Sequence, residues 1–345
     1  MNVLQNRKGD LRASLRTAPV ALGAVLLCAA ALACGGSHSR DASQAAKAAP
    51  PAPAPPASET GGFDGARAWE YLEKIVSFGP RPPASANIHR EQAYLISQLQ
   101  SFGCQVSEDN FQAQTGVGKL AMKNIIVKIP GRDPGIVLLL SHYDTLRLPG
   151  FVGADDGGSS TALLLEVAHD ICGKPQQLTV WIAFLDGEED QTNFVSQQQA
   201  QTVWSDNNST FGSRELAASM DLSGDLKKVK ALLLADMIGD ANLDITRDAN
   251  STPWLEDLVW SVAKRLGYSQ YFLSTSMPVD DDHMPFVRRQ VPSADIIDFD
   301  YPYWHTTEDT LDKCSPHSLA VVGHVFLESI KALDQKFAPA AHGKS

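Results

Sequence analysis

Short apolar runs bounded by turn residues recur through the middle of the chain. Asn124 to Ile129 (NIIVKI), Ile136 to Leu140 (IVLLL), Leu178 to Leu185 (LTVWIAFL) and Ala231 to Leu234 (ALLL) are nearly continuous in apolar side chains. Runs of that length predict strands of one sheet buried on both faces. Ser160 to Ile171 (STALLLEVAHDI) has helix length and lies between the second and third of them. Asn87 to Phe102 carries Ile88, Leu95, Leu99 and Phe102 at helical spacing and stops at Gly103, a residue suited to a left-handed helix end. Pro253 opens a helix that runs to Leu266 before Gly267, and Ser315-Pro316 opens another with Leu319, Val322, Phe326, Ile330 and Leu333 on its inner face. The alternation predicts an α/β fold: a single domain with a twisted, mixed, mostly parallel central sheet and helices on both faces.

The ends of the chain read differently. Met1 to Arg16 is polar with Arg7, Lys8, Arg12 and Arg16, and an apolar run from Ala18 to Ala33 leads to Cys34-Gly35. That basic, apolar, small-residue order is a secretory signal, and it resembles a bacterial lipoprotein signal, in which the cysteine becomes the lipidated N-terminus. An ordinary cleaved signal or an uncleaved anchor are the alternatives, although the run is shorter than the roughly 20 residues of a membrane span. Residues 1–34 are assigned to the signal and 35–62, rich in Ala, Pro and Ser, to a disordered tether. Residues 63–335 then form the folded domain and 336–345 a disordered tail. The implied location is outside the cytoplasm, in the periplasm or at the cell surface, tethered to the membrane through Cys34.

Charge and cysteine content narrow the partners. The formal net charge is −11 and no basic stripe is present, so nucleic acid is not an expected partner. Beyond Cys28 and Cys34 only Cys104, Cys172 and Cys314 remain, without CxxC spacing. In an exported protein one pair could form a disulfide, leaving at least one thiol free. The expected oligomeric state is a monomer.

Four of the predicted strands run out into acidic or imidazole side chains. Ser141-His142-Tyr143-Asp144 follows the second, Asp186-Gly187-Glu188-Glu189 the third, Ala235-Asp236-Met237 the fourth, and Trp304-His305 ends the segment after SADIIDF. Gly153 to Gly158 (GADDGG) precedes the Ser160 helix. Ligands of open α/β sheets bind beyond the carboxyl ends of the strands, so these groups should converge. His142, Asp156, Glu189, Asp236 and His305 make a nitrogen and oxygen set without thiolate, which suits catalytic zinc. Glu188 and Glu189 are neighbours whose side chains diverge, so one can bind metal while the other faces the pocket. The polar segment from Asp190 to Ser209 is longer than ordinary connections and reads as an active-site rim or an insertion. His89, His169, His317 and His324 lie on predicted helices and read as structural.

HYD, GADDGG, DGEE, DMIG and YWHTTEDT resemble the zinc aminopeptidases with a co-catalytic metal pair, from about Phe78 to the last helix. Within that clan, Phe151 to Ala154, Trp204-Ser205 ahead of Phe211 to Ala217, and Asp281-Asp282-His283 through Arg288-Arg289 are similar to animal-type glutaminyl cyclases. These enzymes convert N-terminal glutamine to pyroglutamate with loss of ammonia. The resemblance implies one zinc held by Asp156, Glu189 and His305, with Glu188 as proton shuttle. It also implies that Asp236 and Asp281 give Glu188 hydrogen-bonded support and that Trp204 and Trp304 wall the glutamine pocket. The aminopeptidase alternative uses the same residues with two zincs, His142 and Asp236 holding the second and Asp156 bridging. The substrate in either case is a peptide or protein N-terminus. A tethered binding module that kept the fold is the non-enzyme alternative, but every ligand position is retained. Three departures from the cyclase pattern stand out: Asp295 where cyclases carry a histidine, a longer segment before Trp204, and a GADDGG turn nearer the aminopeptidase form.

Overall fold

The structure is a computed structural model that describes residues 51–205 and 207–337. Its strands are β1 (Val106–Thr115), β2 (Gly118–Ile129), β3 (Gly131–His142), β4 (Gln176–Leu185), β5 (Val229–Asp236), β6 (Ile245–Asp248), β7 (Phe272–Met277) and β8 (Ser293–Ile297). The helices are α1 (Gly65–Val76), α2 (Ala86–Ser101), α3 (Ser160–Ile171), α4 (Gln197–Ala200), α5 (Phe211–Ser223), α6 (Pro253–Arg265), α7 (Met284–Val287) and α8 (Pro316–Phe337). The strands form one sheet in the order β1-β2-β4-β3-β5-β8-β6-β7.

The centre of the sheet is parallel: β4, β3, β5 and β8 all run the same way. Antiparallel pairs occur at β1/β2, β2/β4 and β6/β8. Side chains alternate between two cores as strand pleating requires. On β3, Val137 and Leu139 join α1, α2, α3, α6 and α8 on one face. Ile136, Leu138 and Leu140 join α5 and α7 on the other. The expected α/β fold with helices on both faces is therefore the one observed.

Chain order places the crevice. From β3 the chain passes through α3 to β4 on one side, then through α5 to β5 on the other side of β3. The winding direction reverses at β3, and at such a switch point the carboxyl-end loops diverge and leave a cleft.

Several elements lay outside the sequence reading. β1 is a polar edge strand whose inward face is weakly apolar, and β6 and β7 are short. α1 is capped by Asp64, whose side chain accepts from the Ala66 and Arg67 amides, a standard N-cap.

Residues 51–62, read as part of the tether, are held on the domain. Their large apolar side chains are few, but their backbone supplies acceptors: the Ala52 carbonyl takes hydrogen bonds from Ser315 Oγ at 3.1 Å and the His317 amide at 3.3 Å. Ala57–Glu59 form a single helical turn. α8 reaches Phe337, past the boundary assigned to the tail. The signal, Cys34 and the rest of the tether lie outside the described residues, as do residues 338–345. Among the described residues no helix is long and apolar enough to cross a membrane.

Cys104 and Cys172 are disulfide-bonded, joining the segment after α2 to the end of α3, and Cys314 is a buried free thiol.

Candidate metal centre

The carboxyl ends of β3, β4, β5 and β8 deliver the acidic and imidazole side chains to one place. His142 is the last residue of β3 and Asp236 the last of β5. Asp156 comes from an irregular turn, Ala154–Ser159, in which Asp156 is extended (φ −74°, ψ 103°) and Gly157 is left-handed (φ 80°). A side chain at Gly157 would stand 2.8 Å from the Asp144 carbonyl oxygen and 2.9 Å from the His142 ring, so glycine is required for the turn to approach β3. His305 has a left-handed backbone, φ 55°, a conformation costly for a residue with a Cβ and concentrated at functional sites.

Asp156, Glu189 and His305 form one buried triad. His305 Nε2 lies 3.1 Å from Glu189 Oε2 and 3.7 Å from Asp156 Oδ2. Its Nδ1 stands 2.9 Å from the Ala200 carbonyl oxygen, which only accepts, so Nδ1 carries a hydrogen and Nε2 is the nitrogen that faces the carboxylates, available to a proton or a metal. The far oxygen of Glu189 accepts from the Leu146 amide at 2.9 Å. Asp156 Oδ2 and Glu189 Oε2 are buried without a hydrogen-bond partner. Buried acceptors facing one another need a cation, either a proton or a metal ion, between them. The donor set is therefore one that fits a metal.

His142, Asp156 and Asp236 form a second triad that shares Asp156. His142 Nε2 is 3.1 Å from Asp236 Oδ1 and 3.3 Å from Asp156 Oδ1. In both triads the ligand atoms lie within 4.8 Å of one another. All five candidate ligands are thus brought together.

Electrostatics follow from burial. Burial alone would lower His305, but Glu189 and Asp156 outweigh it and raise the imidazole to about 9. Burial, then Asp156, push Glu189 up to about 8. Burial raises Glu188 well above the usual carboxylate range; His142 opposes the shift, and Asp281 and Asp282 add to it. Burial and Asp236 hold Asp281 at about 7.

Glu188 and Glu189 meet different partners, Glu188 approaching His142 and Glu189 His305. The Glu188 carboxylate is 4.0 Å from His142 Nδ1, and its amide donates to Asp144 Oδ1 at 3.1 Å. The support from Asp236 and Asp281 takes a different form from hydrogen bonds to Glu188. Asp236 is directed to His142, and Asp281 acts through its charge and accepts from the Asp282 amide.

A cavity of about 200 Å³ opens over the centre, lined by Asp156, Glu188, Asp236, Asp281, His305 and both tryptophans, Trp204 and Trp304. Trp304 stacks on the His305 ring with centroids 4.0 Å apart, and Phe151 meets the same ring edge-on at 6.2 Å. The segment from Asp190 to Ser209 is a rim: it carries Ala200, the acceptor for His305, and Trp204. Ile297 and Phe299 also line the cavity. Sequence reasoning passed over them, although Ile297 falls two residues after Asp295 on the same face of β8, and Phe299 follows just past the strand end.

Asp295 is buried with both oxygens unpartnered. Beside it His283 spans two carboxylates, Nε2 being 3.0 Å from Asp248 Oδ2 and Nδ1 3.7 Å from Asp295 Oδ2. Burial and Asp281 hold Asp295 well above the ordinary carboxylate range, which favours its neutral form. Of the helix histidines, His317 pairs with the Tyr271 hydroxyl, His324 with that of Tyr268 and His89 with Gln92, while His169 packs on Phe102 and sits in a cluster with Glu166 and Asp170.

The arrangement is a parallel-centred α/β sheet whose carboxyl ends carry a nitrogen and oxygen ligand set suited to a divalent metal. Residues 124–330 match the profile of peptidase family M28. The chain belongs to that family. It is 30% identical to a glutaminyl-peptide cyclotransferase-like protein of Bos taurus over 307 residues, 77% of this chain and 76% of the relative. A glutaminyl-peptide cyclotransferase of Drosophila melanogaster is 27% identical over 289 residues, 74% and 78% of the two chains. Among solved structures, an Acidobacteriales bacterium glutaminyl cyclase is 40% identical with a TM-score of 0.72, covering 86% of this chain and all of that one. A Zn-dependent exopeptidase from Parabacteroides distasonis is 29% identical with a TM-score of 0.71, covering 78% and 98%.

Proposed function

We propose that this protein is a zinc-dependent glutaminyl-peptide cyclotransferase, closing the N-terminal glutamine of peptides and proteins to pyroglutamate with release of ammonia. The observation that carries the reading is one cavity lined by Glu188, Asp281, Trp204 and Trp304 together with Asp156 and His305 of the Asp156, Glu189 and His305 triad. Relatives named as cyclases support it.

Asp156, Glu189 and His305 would hold the zinc, which when bound supplies Lewis-acid polarisation of a carbonyl oxygen. Trp204 and Trp304 offer flat apolar walls to the glutamine side chain and keep bulk water from it. The α-amine and the side-chain amide carbon belong to one residue, so holding that residue in a folded pose removes much of the entropic barrier. As the N–C bond forms and the C–NH₂ bond breaks, Glu188 takes the proton from the attacking amine and passes it to the departing ammonia. A carboxyl group raised by burial is suited to both halves of that transfer.

The second reading is a two-zinc aminopeptidase, favoured by one observation: Asp156 presents one oxygen to each histidine. There His142 and Asp236 would hold a second zinc and Glu188 would activate water. Mass analysis of a glutaminyl peptide after incubation separates the readings. A product lighter by one ammonia supports cyclisation, and a peptide shortened by one residue opposes it.

The location is part of the proposal and rests on residues 1–62 as sequence: export, lipidation at Cys34 and a monomeric enzyme tethered at the membrane. Labelling of the wild-type chain but not a Cys34→Ala variant by a palmitate analogue is the expected result; equal labelling of both opposes it.

A further inference from the structure

Asp309 is buried four residues after His305, and nothing in the chemistry above employs it. Its carboxylate faces the turn that carries Asp156. Oδ1 accepts from the Asp155 amide at 2.9 Å and from the Tyr301 hydroxyl at 2.7 Å, and Oδ2 accepts from the Asp156 amide at 3.2 Å. Its backbone serves the same joint. The Asp309 carbonyl takes the Ala154 amide at 3.4 Å, and the Asp309 amide donates to Thr306 at 3.1 Å, closing the turn after His305.

The opposite side of the Asp156 turn is gripped by a second buried charge. Arg81, fully buried and paired with Glu91 at 2.9 Å, donates Nη1 to the Val152 carbonyl at 2.6 Å and Nη2 to the Gly153 carbonyl at 3.2 Å. The turn between them lacks regular helical bonding, since Asp156 and Gly157 both leave helical dihedrals. Its shape therefore depends on these outside partners. Fixing the Asp156 amide fixes its Cα, and with it the direction in which the side chain leaves.

We propose that Asp309 is a positioning residue for the metal site, holding the Asp156 turn by its amides and tying it to the segment that carries His305. It rests on the reading that Asp156 and His305 bind the metal. A carboxylate that accepts three hydrogen bonds sets the separation of two ligands drawn from segments about 150 residues apart in sequence, as outer-shell partners of metal ligands do.

The test is zinc affinity, measured on the full-length protein by competition with a chromophoric chelator, at a temperature where circular dichroism shows every variant folded. Asp309→Asn keeps the volume but turns an NH₂ group toward one of the backbone amides; it should weaken zinc binding about 10–100-fold. Tyr301→Phe removes only one of the three bonds and should weaken it less, in the same direction. Folded Asp309→Asn with wild-type zinc affinity overturns the proposal, even if its melting temperature has dropped, because that marks a purely structural role. If Asp309→Asn does not fold, Tyr301→Phe decides, and unchanged affinity there overturns it. Asp156→Asn is run alongside. Should it bind zinc as tightly as the wild type, the site reading itself fails and this inference falls with it.

Discussion

His305 is bonded through Nδ1 to the carbonyl oxygen of Ala200, 2.9 Å away, and that bond selects which ring nitrogen faces Asp156 and Glu189. Without metal the carboxylates raise the imidazole to about 9 from 6.5, so a proton occupies the place a metal would take. Zinc must displace that proton. Affinity should therefore rise with pH up to about 9, with protons released on binding, as calorimetry in buffers of different ionisation enthalpy would reveal. The metal-free protein shows the opposite sense. A raised imidazole contributes stability that is complete below about 6.5 and lost as pH rises through about 9. A melting temperature of the apo protein that climbs over this interval would contradict the assignment.

Glu188→Gln should lower turnover about 100-fold or more, the usual scale of a lost general acid-base group, while zinc content by mass spectrometry stays at the wild-type level. Neutral glutamine is close in shape and Glu188 is outside both ligand triads. Substantial remaining turnover would remove Glu188 from the proton path.

The two tryptophans should separate in kinetics. Trp204 sits on the rim and Trp304 stacks on His305. Trp204→Ala should raise KM about five- to tenfold, the scale of one aromatic contact, with little change in melting temperature. Trp304→Ala should also reduce kcat, because the His305 ring loses one of its two aromatic neighbours. Equal KM values for Trp204→Ala and the wild type would return Trp204 to a packing role.

Much of this centre is legible in the chain because parallel strands announce their carboxyl ends. A continuous apolar run followed by HYD, DGEE or AD says where a side chain emerges, and the sheet then brings those emergences together. The α3 boundaries, Ser160 to Ile171, agree with the structure because the apolar stretch is bounded by a glycine turn and Cys172. What stays hidden is what backbone groups do. Nothing in the polar run QQQAQ marks Ala200 as the acceptor for His305, and the docking of residues 51–62 relies on carbonyls rather than on side chains. The edge strands β1 and β7, and the short β6 beside β7, escape because their patterns are short or polar.

Cys104–Cys172 closes a loop across 68 residues between the ends of two packed helices. Replacing both cysteines by serine should lower stability by about 2–4 kcal/mol through the regained freedom of the unfolded chain. Cys314 is the free cysteine among the described residues and is buried, so it should react with a bulky labelling reagent only on unfolding. Denaturant titration with and without reductant checks the first expectation, and labelling during unfolding the second.

The central claim is most directly tested by the products of the zinc-loaded enzyme on a glutaminyl peptide, with ammonia and free amino acid measured in the same reaction. Cyclisation predicts one ammonia for each peptide consumed, a pyroglutamyl product and no free glutamine. Free glutamine at one per peptide consumed, without ammonia, would contradict it and make the protein an aminopeptidase.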